Sequence, residues 1–381
     1  MEQNVEVSII CVTYNHKKYI HQCLDNMLNQ KTNFKYEIIV HDDASTDGTT
    51  EIVKEYAEQY PNIVKLILQK KNQYSCGKWI TELALPKAKG KYLAFCDGDD
   101  YWCDESKLQK QFDYMEAHGD CSICFHNTYT YDMYADRIKQ GWFFWKNRCF
   151  SGAGIYRTEQ LMRLEVTPCS SHFYRKADID FSCNHIICAD MLITLCLSSK
   201  GYGYCLPGYM SVYRKGVTDS TYTHCYFGVE EYNRTIQYVI DVWKAFNYYS
   251  QNIYKNYIDT QIANERAKKI SICNDDIKTL QKETSQLYIY GIGIYGAVCL
   301  EEMKHWSLNI TGFVVSDGCE KPDTYKKYKV FYLSELKDKN CGFIIAAGIN
   351  ARNKIIENLN NRSVSHYCIG LKEVVHERTD E

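Results

Sequence analysis

The sequence has no apolar run that approaches the roughly 18 residues a membrane-spanning helix needs, so a soluble or peripheral chain is expected. It also lacks an excess of either charge. With 45 basic and 47 acidic residues the net charge is −2, which removes the electrostatic case for general nucleic-acid binding. Base is missing from Met1-Glu2-Gln3-Asn4-Val5-Glu6, where a secretory signal would carry it, and strand-like sequence follows at once. The expected location is the cytoplasm, with the inner face of the plasma membrane as the alternative. Proline is scarce; five beside 33 tyrosines read as composition bias rather than function.

Cysteine is not scarce. The 19 thiols are odd in number and scattered at irregular spacing through apparent strands and helices, which argues against a disulfide framework. The one C-x-x-C, Cys121-Ser122-Ile123-Cys124, lies in an apolar run that reads as a strand. Residues three apart on a strand point to opposite faces, so no zinc or redox site is expected there. The thiols read as small buried hydrophobes in a reducing compartment. A length of 381 residues with 45% hydrophobic and 24% charged content suits two globular domains, or one large domain with an appendage.

The first 130 residues alternate β-rich runs with amphipathic helices. Val7–Tyr14 reads as a buried strand, and Tyr19, Ile20, Cys23, Leu24, Met27 and Leu28 then fall on one helical face. Glu37–Val40, Ile63–Leu68 and Tyr92–Cys96 read as further strands, with a helix from Thr49 to Tyr60. This rhythm predicts an α/β fold with a mostly parallel, helix-covered sheet, in which ligands bind outside the carboxyl ends of strands. From Phe227 to Lys282 the sequence reads as a helical connector. A second βαβ pattern begins at Leu287 and carries Gly291-Ile292-Gly293-Ile294-Tyr295-Gly296. The expected domains are 1–226, a connector at 227–285, and a Rossmann-like unit at 286–381.

Two polar clusters end strands. His41-Asp42-Asp43 follows one, and Asp97-Gly98-Asp99-Asp100 follows another. Carboxylates at a strand end suit magnesium or manganese, which take oxygen ligands. Alone, a D-x-D reads equally as a loop cap or Asx-turn. Together, VSIICVTYNHKKYIHQCLDNMLNQ, YEIIVHDDASTDGT and AKGKYLAFCDGDDYW resemble, in order and spacing, the nucleotide-binding half of the family 2 glycosyltransferases, over roughly residues 5–220.

That resemblance implies a GT-A fold of the bacterial capsule or exopolysaccharide type. It implies that Thr13, Tyr14 and Asn15 bind the nucleotide, that Asp43 accepts from the base, and that Asp42 supports its loop. Asp97 would lie near ribose or metal, Asp99 would be the principal ligand of a divalent cation (manganese or magnesium), and Asp100 would orient the loop. On the acceptor side, Ser170 and Ser171 resemble the family's small-polar run, and Asp190 falls where the general base should be. Ala189 departs from the usual acid before it, and Lys215 follows Tyr213-Arg214 where relatives often carry His. Arg214 would contact the diphosphate.

The implied function is inverting transfer of a hexose or N-acetylhexosamine from a nucleotide sugar, expected to be UDP-linked, to a hydroxyl of a growing surface polysaccharide or lipid-linked glycan. The alternative is a non-catalytic nucleotide-sugar-binding or scaffold protein of a glycan-assembly complex. Trp142 and Trp145, in an aromatic and basic run, are acceptor-platform candidates; core packing and peripheral contact with anionic lipid are the competing readings. The G-x-G-x-x-G with Asp317 after the next strand reads as a structural or homo-oligomer contact, with nucleotide binding as its alternative.

Overall fold

The computed structural model describes residues 4–76, 78, 83–133, 136–139, 152–164, 167–178, 189–217, 227–338 and 340–374. The chain forms two compact units, Met1–Ser220 with Asp241–Ile258, and Thr221–Ile240 with Asp259–Glu381. The stretch read as a connector holds helices Val229–Tyr249, Lys255–Ala267 and Asn274–Glu283 and the strand Ile270–Ile272, and it is shared between the two units. No helix among the described residues is long and apolar enough to cross a membrane.

In the first unit the strands are β1 Val5–Thr13, β2 Lys35–Asp42, β3 Val64–Leu68, β4 Tyr92–Phe95, β5 Tyr101–Trp102, β6 Cys121–Asp132, β7 Arg137–Lys139, β8 Gly154–Tyr156, β9 Phe173–Arg175 and β10 Tyr202–Lys215. The main order is β3-β2-β1-β4-β9-β6-β10-β5, with β7 on β6 and β8 on β10. The first four are parallel. β1 reads as a near-continuous apolar run because both its faces are covered. Val7, Ile9 and Cys11 pack with Ile20, Leu24 and Met27 in one core, while Ile10 packs with Leu93, Phe95 and Leu197 in another. The sheet turns mixed beyond β4, because the three-residue β9 pairs antiparallel with both β4 and β6.

The C-x-x-C differs from its expected geometry. Cys121 and Cys124 are both buried in the same core cluster rather than on opposite faces. Opposite β10, Cys121 pairs with Tyr202 and Ile123 with Gly203, so Ser122 is an extra residue. Such a bulge resets the alternation of side chains.

The second unit has β11 Ile270–Ile272, β12 Gln286–Tyr290, β13 Gly312–Val315, β14 Thr324–Tyr325, β15 Tyr328–Tyr332, β16 Cys341–Ile345, β17 Tyr367–Ile369 and β18 Leu371–Glu373. Its main sheet runs β14-β15-β13-β12-β16-β17, parallel from β15 to β17. Helix Ile294–His305 follows β12 and helix Ile349–Asn361 follows β16, the doubly wound pattern the sequence suggests.

Candidate active site

The carboxyl ends of β1, β2 and β4 meet at one edge of the first unit. Beyond β1, the Asn15 amide donates to Ser45 Oγ at 2.9 Å and its side-chain oxygen accepts from the Thr46 amide at 2.8 Å. Asn15 holds φ +56, a left-handed conformation that asparagine tolerates better than most residues. Tyr14 is partly buried beside it. Beyond β2, Asp42 organises its loop: one oxygen accepts from the Ser45 amide and hydroxyl, the other from the Thr50 hydroxyl. Asp43 accepts from the Gln73 amide at 2.7 Å and the Tyr74 amide at 3.1 Å. A carboxylate has about four acceptor sites, so these two bonds leave room for a ligand donor.

The turn after β4 concentrates acid. The Gly98 amide donates to Val12 O at 2.8 Å and the Asp100 amide to Asp97 O at 2.9 Å, which seats the turn against the end of β1. Only glycine fits at 98: a Cβ there would lie 2.7 Å from Thr13 Oγ1 and 2.9 Å from His16 Nδ1. Asp99 and Asp100 are buried. Burial, then the charges of Asp99 and Asp190, push the Asp97 carboxyl up to about 7. Burial, Asp99 and Asp97 raise Asp100 well above the usual range, although Arg214 opposes this.

Arg214, at the end of β10, closes the site from beside. Its amide donates to Asp100 Oδ1 at 2.9 Å, and its guanidinium donates to Asp99 O and Gln22 Oε1. The guanidinium lies 4.6 Å from the Tyr101 ring centre and 5.1 Å from that of Tyr19, so cation–π contact holds it as well. Asp190 opens helix Ala189–Lys200; its carboxyl accepts from the Met191 amide at 2.8 Å, and its carbonyl from Thr194 Oγ1. Asp190 acts electrostatically on both Asp97 and Cys169.

Residues 8–178 match the model for Glycosyl transferase family 2. They form a family 2 glycosyltransferase domain. An uncharacterised Mycobacterium tuberculosis protein is 42% identical over 120 residues, 32% of this chain and 34% of that protein. The UDP-Glc:alpha-D-GlcNAc-diphosphoundecaprenol beta-1,3-glucosyltransferase of Escherichia coli is 37% identical over 111 residues, 29% of this chain and 41% of that protein. The chain thus spans between a third and a half of the length of these relatives. Residues 1–349 of Staphylococcus aureus TarS, solved in complex with UDP-GlcNAc, align with a TM-score of 0.53 at 18% identity, over 80% of this chain and 93% of that one. The likeness shows the shared α/β, GT-A-like fold.

The residues singled out from sequence divide into two groups, whose members, Arg214 excepted, fall within the matched residues 8–178. Thr13, Tyr14, Asn15, Asp42, Asp43, Asp97, Asp99 and Arg214 lie at the strand ends just described. Ser170 and Ser171 lie inside the fold, where the turn Cys169–Ser171 tucks their hydroxyls onto Ser211 Oγ at 3.0 Å and Pro168 O at 2.6 Å. Both hydroxyls are turned into the fold rather than outward. Trp142 and Trp145 lie outside the described residues.

Three site features were missed in the sequence. His16 sits directly after the Thr13–Asn15 block, a position that could have flagged it. Gln22 and Tyr101 position Arg214. Lys107 is fully buried 4.0 Å from the Trp102 ring centre, with its ammonium donating to Gln111 Oε1 at 2.7 Å.

The described residues contain no group of three His, Cys, Asp or Glu side chains that could hold a metal ion unaided. The donor set still fits a cation shared with a diphosphate, because magnesium and manganese bind through one or two carboxylates plus substrate phosphates. Like charges raising Asp97 and Asp100 are what such a cation would relieve.

Proposed function

We propose that this chain is an inverting glycosyltransferase that moves a hexose or N-acetylhexosamine from a UDP-sugar to a hydroxyl of a surface polysaccharide or lipid-linked glycan. The observation that carries the reading is the buried acidic turn Asp97-Gly98-Asp99-Asp100 at a strand end, with the candidate base Asp190 close enough to act on Asp97. The E. coli relative is named for a UDP-glucose donor and a diphosphoundecaprenol-linked acceptor, which supports the donor and acceptor classes. The proposed location is the cytoplasm.

In this reading Thr13, Tyr14, Asn15 and Asp43 grip the nucleotide, and Arg214 faces the diphosphate. Asp99 holds a divalent cation, which when bound offsets charge on the leaving diphosphate. Asp190 takes the proton of the acceptor hydroxyl as its oxygen bonds the anomeric carbon. The bond from that carbon to the phosphate oxygen breaks, and single displacement inverts the centre. A positioned base contributes about 10²–10⁴ in rate. Asp190→Asn should therefore lower transfer by about that factor while calorimetric UDP binding persists. Near-normal turnover in that variant would refute the assignment.

The scaffold reading draws on Ala189 and Lys215, which stand where the resemblance expects an acid and a histidine. Manganese-dependent donor hydrolysis or transfer by the wild-type chain would exclude it.

A further inference from the structure

We propose that His16 is a ligand of the divalent-cation site, holding the cation jointly with Asp99. The inference rests on the proposed reading of Asp99 as a cation ligand and adds a nitrogen donor from the loop after β1.

Three observations come first. His16 is only 7% exposed, and its Nδ1 is buried without a hydrogen-bond partner. Its Nε2 lies 3.8 Å from Asp99 Oδ2. That gap is too wide for a hydrogen bond. Two donors each about 2.1 Å from one ion can lie as much as about 4.2 Å apart, so the gap suits a shared cation.

The ring is also held in place. The His16 carbonyl accepts from the Tyr19 and Ile20 amides at 2.8 and 2.9 Å, which fixes the backbone as the helix begins. Gly98 packs so closely that even a Cβ would come within 2.9 Å of Nδ1. Finally, Thr13 Oγ1 is a second buried atom without a partner, and it crowds the same glycine. A metal-ligating histidine needs an acceptor for its other ring N–H. Neither Thr13 Oγ1 nor His16 Nδ1 has a partner in this niche, which leaves the ring nitrogen's bond to be completed when the site is filled.

An imidazole beside carboxylate favours manganese over magnesium, since magnesium prefers an all-oxygen shell. The site is thus inferred to be manganese-selective, with His16 as the cause.

The test uses the full chain with UDP and manganese. Electron spin echo spectra of bound manganese should show modulation from an imidazole nitrogen in the wild-type protein and lose it in His16→Ala. Manganese affinity should fall by about tenfold or more in His16→Ala, with magnesium affinity nearly unchanged. His16→Gln guards against a folding defect and should also lack the nitrogen signal. Manganese bound without nitrogen modulation in the wild type would overturn the proposal, as would unchanged manganese affinity in both variants. Asp99→Asn separates the two levels. If it abolishes manganese binding and the His16 variants leave manganese affinity unchanged, only the histidine ligand is wrong. If manganese and UDP bind with no effect of Asp99→Asn, the cation reading itself fails.

Discussion

The two units solve the same architectural problem differently. Each ends a central parallel strand in a glycine-containing turn with acid nearby: Asp97-Gly98-Asp99-Asp100 after β4, and Gly291-Ile292-Gly293 after β12 with Asp317 after β13. In the first, the electrostatics are left unresolved. Asp97 and Asp100 repel their neighbours, and Thr13 Oγ1 and His16 Nδ1 are buried without partners. In the second, Asp317 accepts from the Ser334 amide and hydroxyl and pairs with Arg362 at 2.9 Å. The Ser334 hydroxyl above all holds that carboxyl below its usual range. Packing explains two of the three glycines in the second unit's turn, Gly291 and Gly296, whereas a Cβ on Gly293 would meet nothing within 4 Å. A Cβ on Gly296 would lie 2.2 Å from Gly291 O, and one on Gly291, at φ +125, would lie 2.6 Å from Ala346 O. A turn that binds a charged ligand keeps a deficit that the ligand fills; a turn that only joins elements closes its own accounts.

Asp97→Asn tests that contrast most strongly. In wild type, UDP with manganese at 100 times the dissociation constant should add ~2.7 kcal/mol of stability, and the variant should lose most of this gain. Without ligand the sign reverses. The Asp97 carboxyl is raised to about 7, against roughly 3.9 when unfolded, so the folded state binds the extra proton. Stability from this group is therefore lost as pH rises from about 4 to 7, and at pH 8 its full cost is present. Asparagine removes that cost. A relief of about 1 kcal/mol would raise Tm by about 2–4 °C. A ligand-free variant that melts lower and still responds to UDP and manganese would break the comparison.

Much of this was legible in the sequence, and the limit has a physical form. The buried run of β1, the helical face from Ile20 to Leu28 and the acidic strand ends are local patterns, and the structure carries each of them. What was not legible depends on atoms converging from distant positions. Nothing in the spacing of Cys121 and Cys124 reveals the bulge at Ser122, because it arises from pairing with β10. The inward turn of Ser170 and Ser171 depends on Ser211 and Trp102, whose indole donates to Ser170 O. Residues 13, 16 and 98 become neighbours only when β1 and β4 pair.

Lys107 shows that the deficit extends behind the first site. Its position reads as the first turn of an amphipathic helix, where lysine is ordinarily solvated, yet it has no exposure and burial lowers its pKa to about 7. His126 and His172 nearby are held neutral, chiefly by burial and then by the Lys107 charge, His172 at about 3. Below pH 7 the folded protein carries a buried ammonium at a cost. Between about pH 7 and 10.4 the unfolded chain binds the extra proton, so wild-type stability rises. Lys107→Met should be more stable than wild type by about 1–2 kcal/mol at pH 6, with the advantage shrinking by pH 9. Thermal melts at the two pH values check it. An advantage independent of pH would mean that Lys107 stays protonated in both states across this range, its pKa not lowered, and that the unresolved charge is confined to the strand ends.

Asp317→Asn should have the smallest effect, and it probes the second unit's side of the contrast. The carboxyl and Arg362 are both largely exposed, so water screens the pair, and its loss should cost no more than about 1 kcal/mol at pH 7. Because the folded pKa is depressed, that contribution is present above the unfolded value and fades as pH falls toward 3. Wild type and variant should therefore melt together in acid and differ slightly at neutrality, with UDP binding the same in both. The outcome that matters most is a ligand response. A dinucleotide that stabilises wild type and not Asp317→Asn would mean that the carboxylate leaves Arg362 and Ser334 to meet a ribose hydroxyl. The second turn would then belong with the first, as a binding site whose internal bonds only stand in for its ligand.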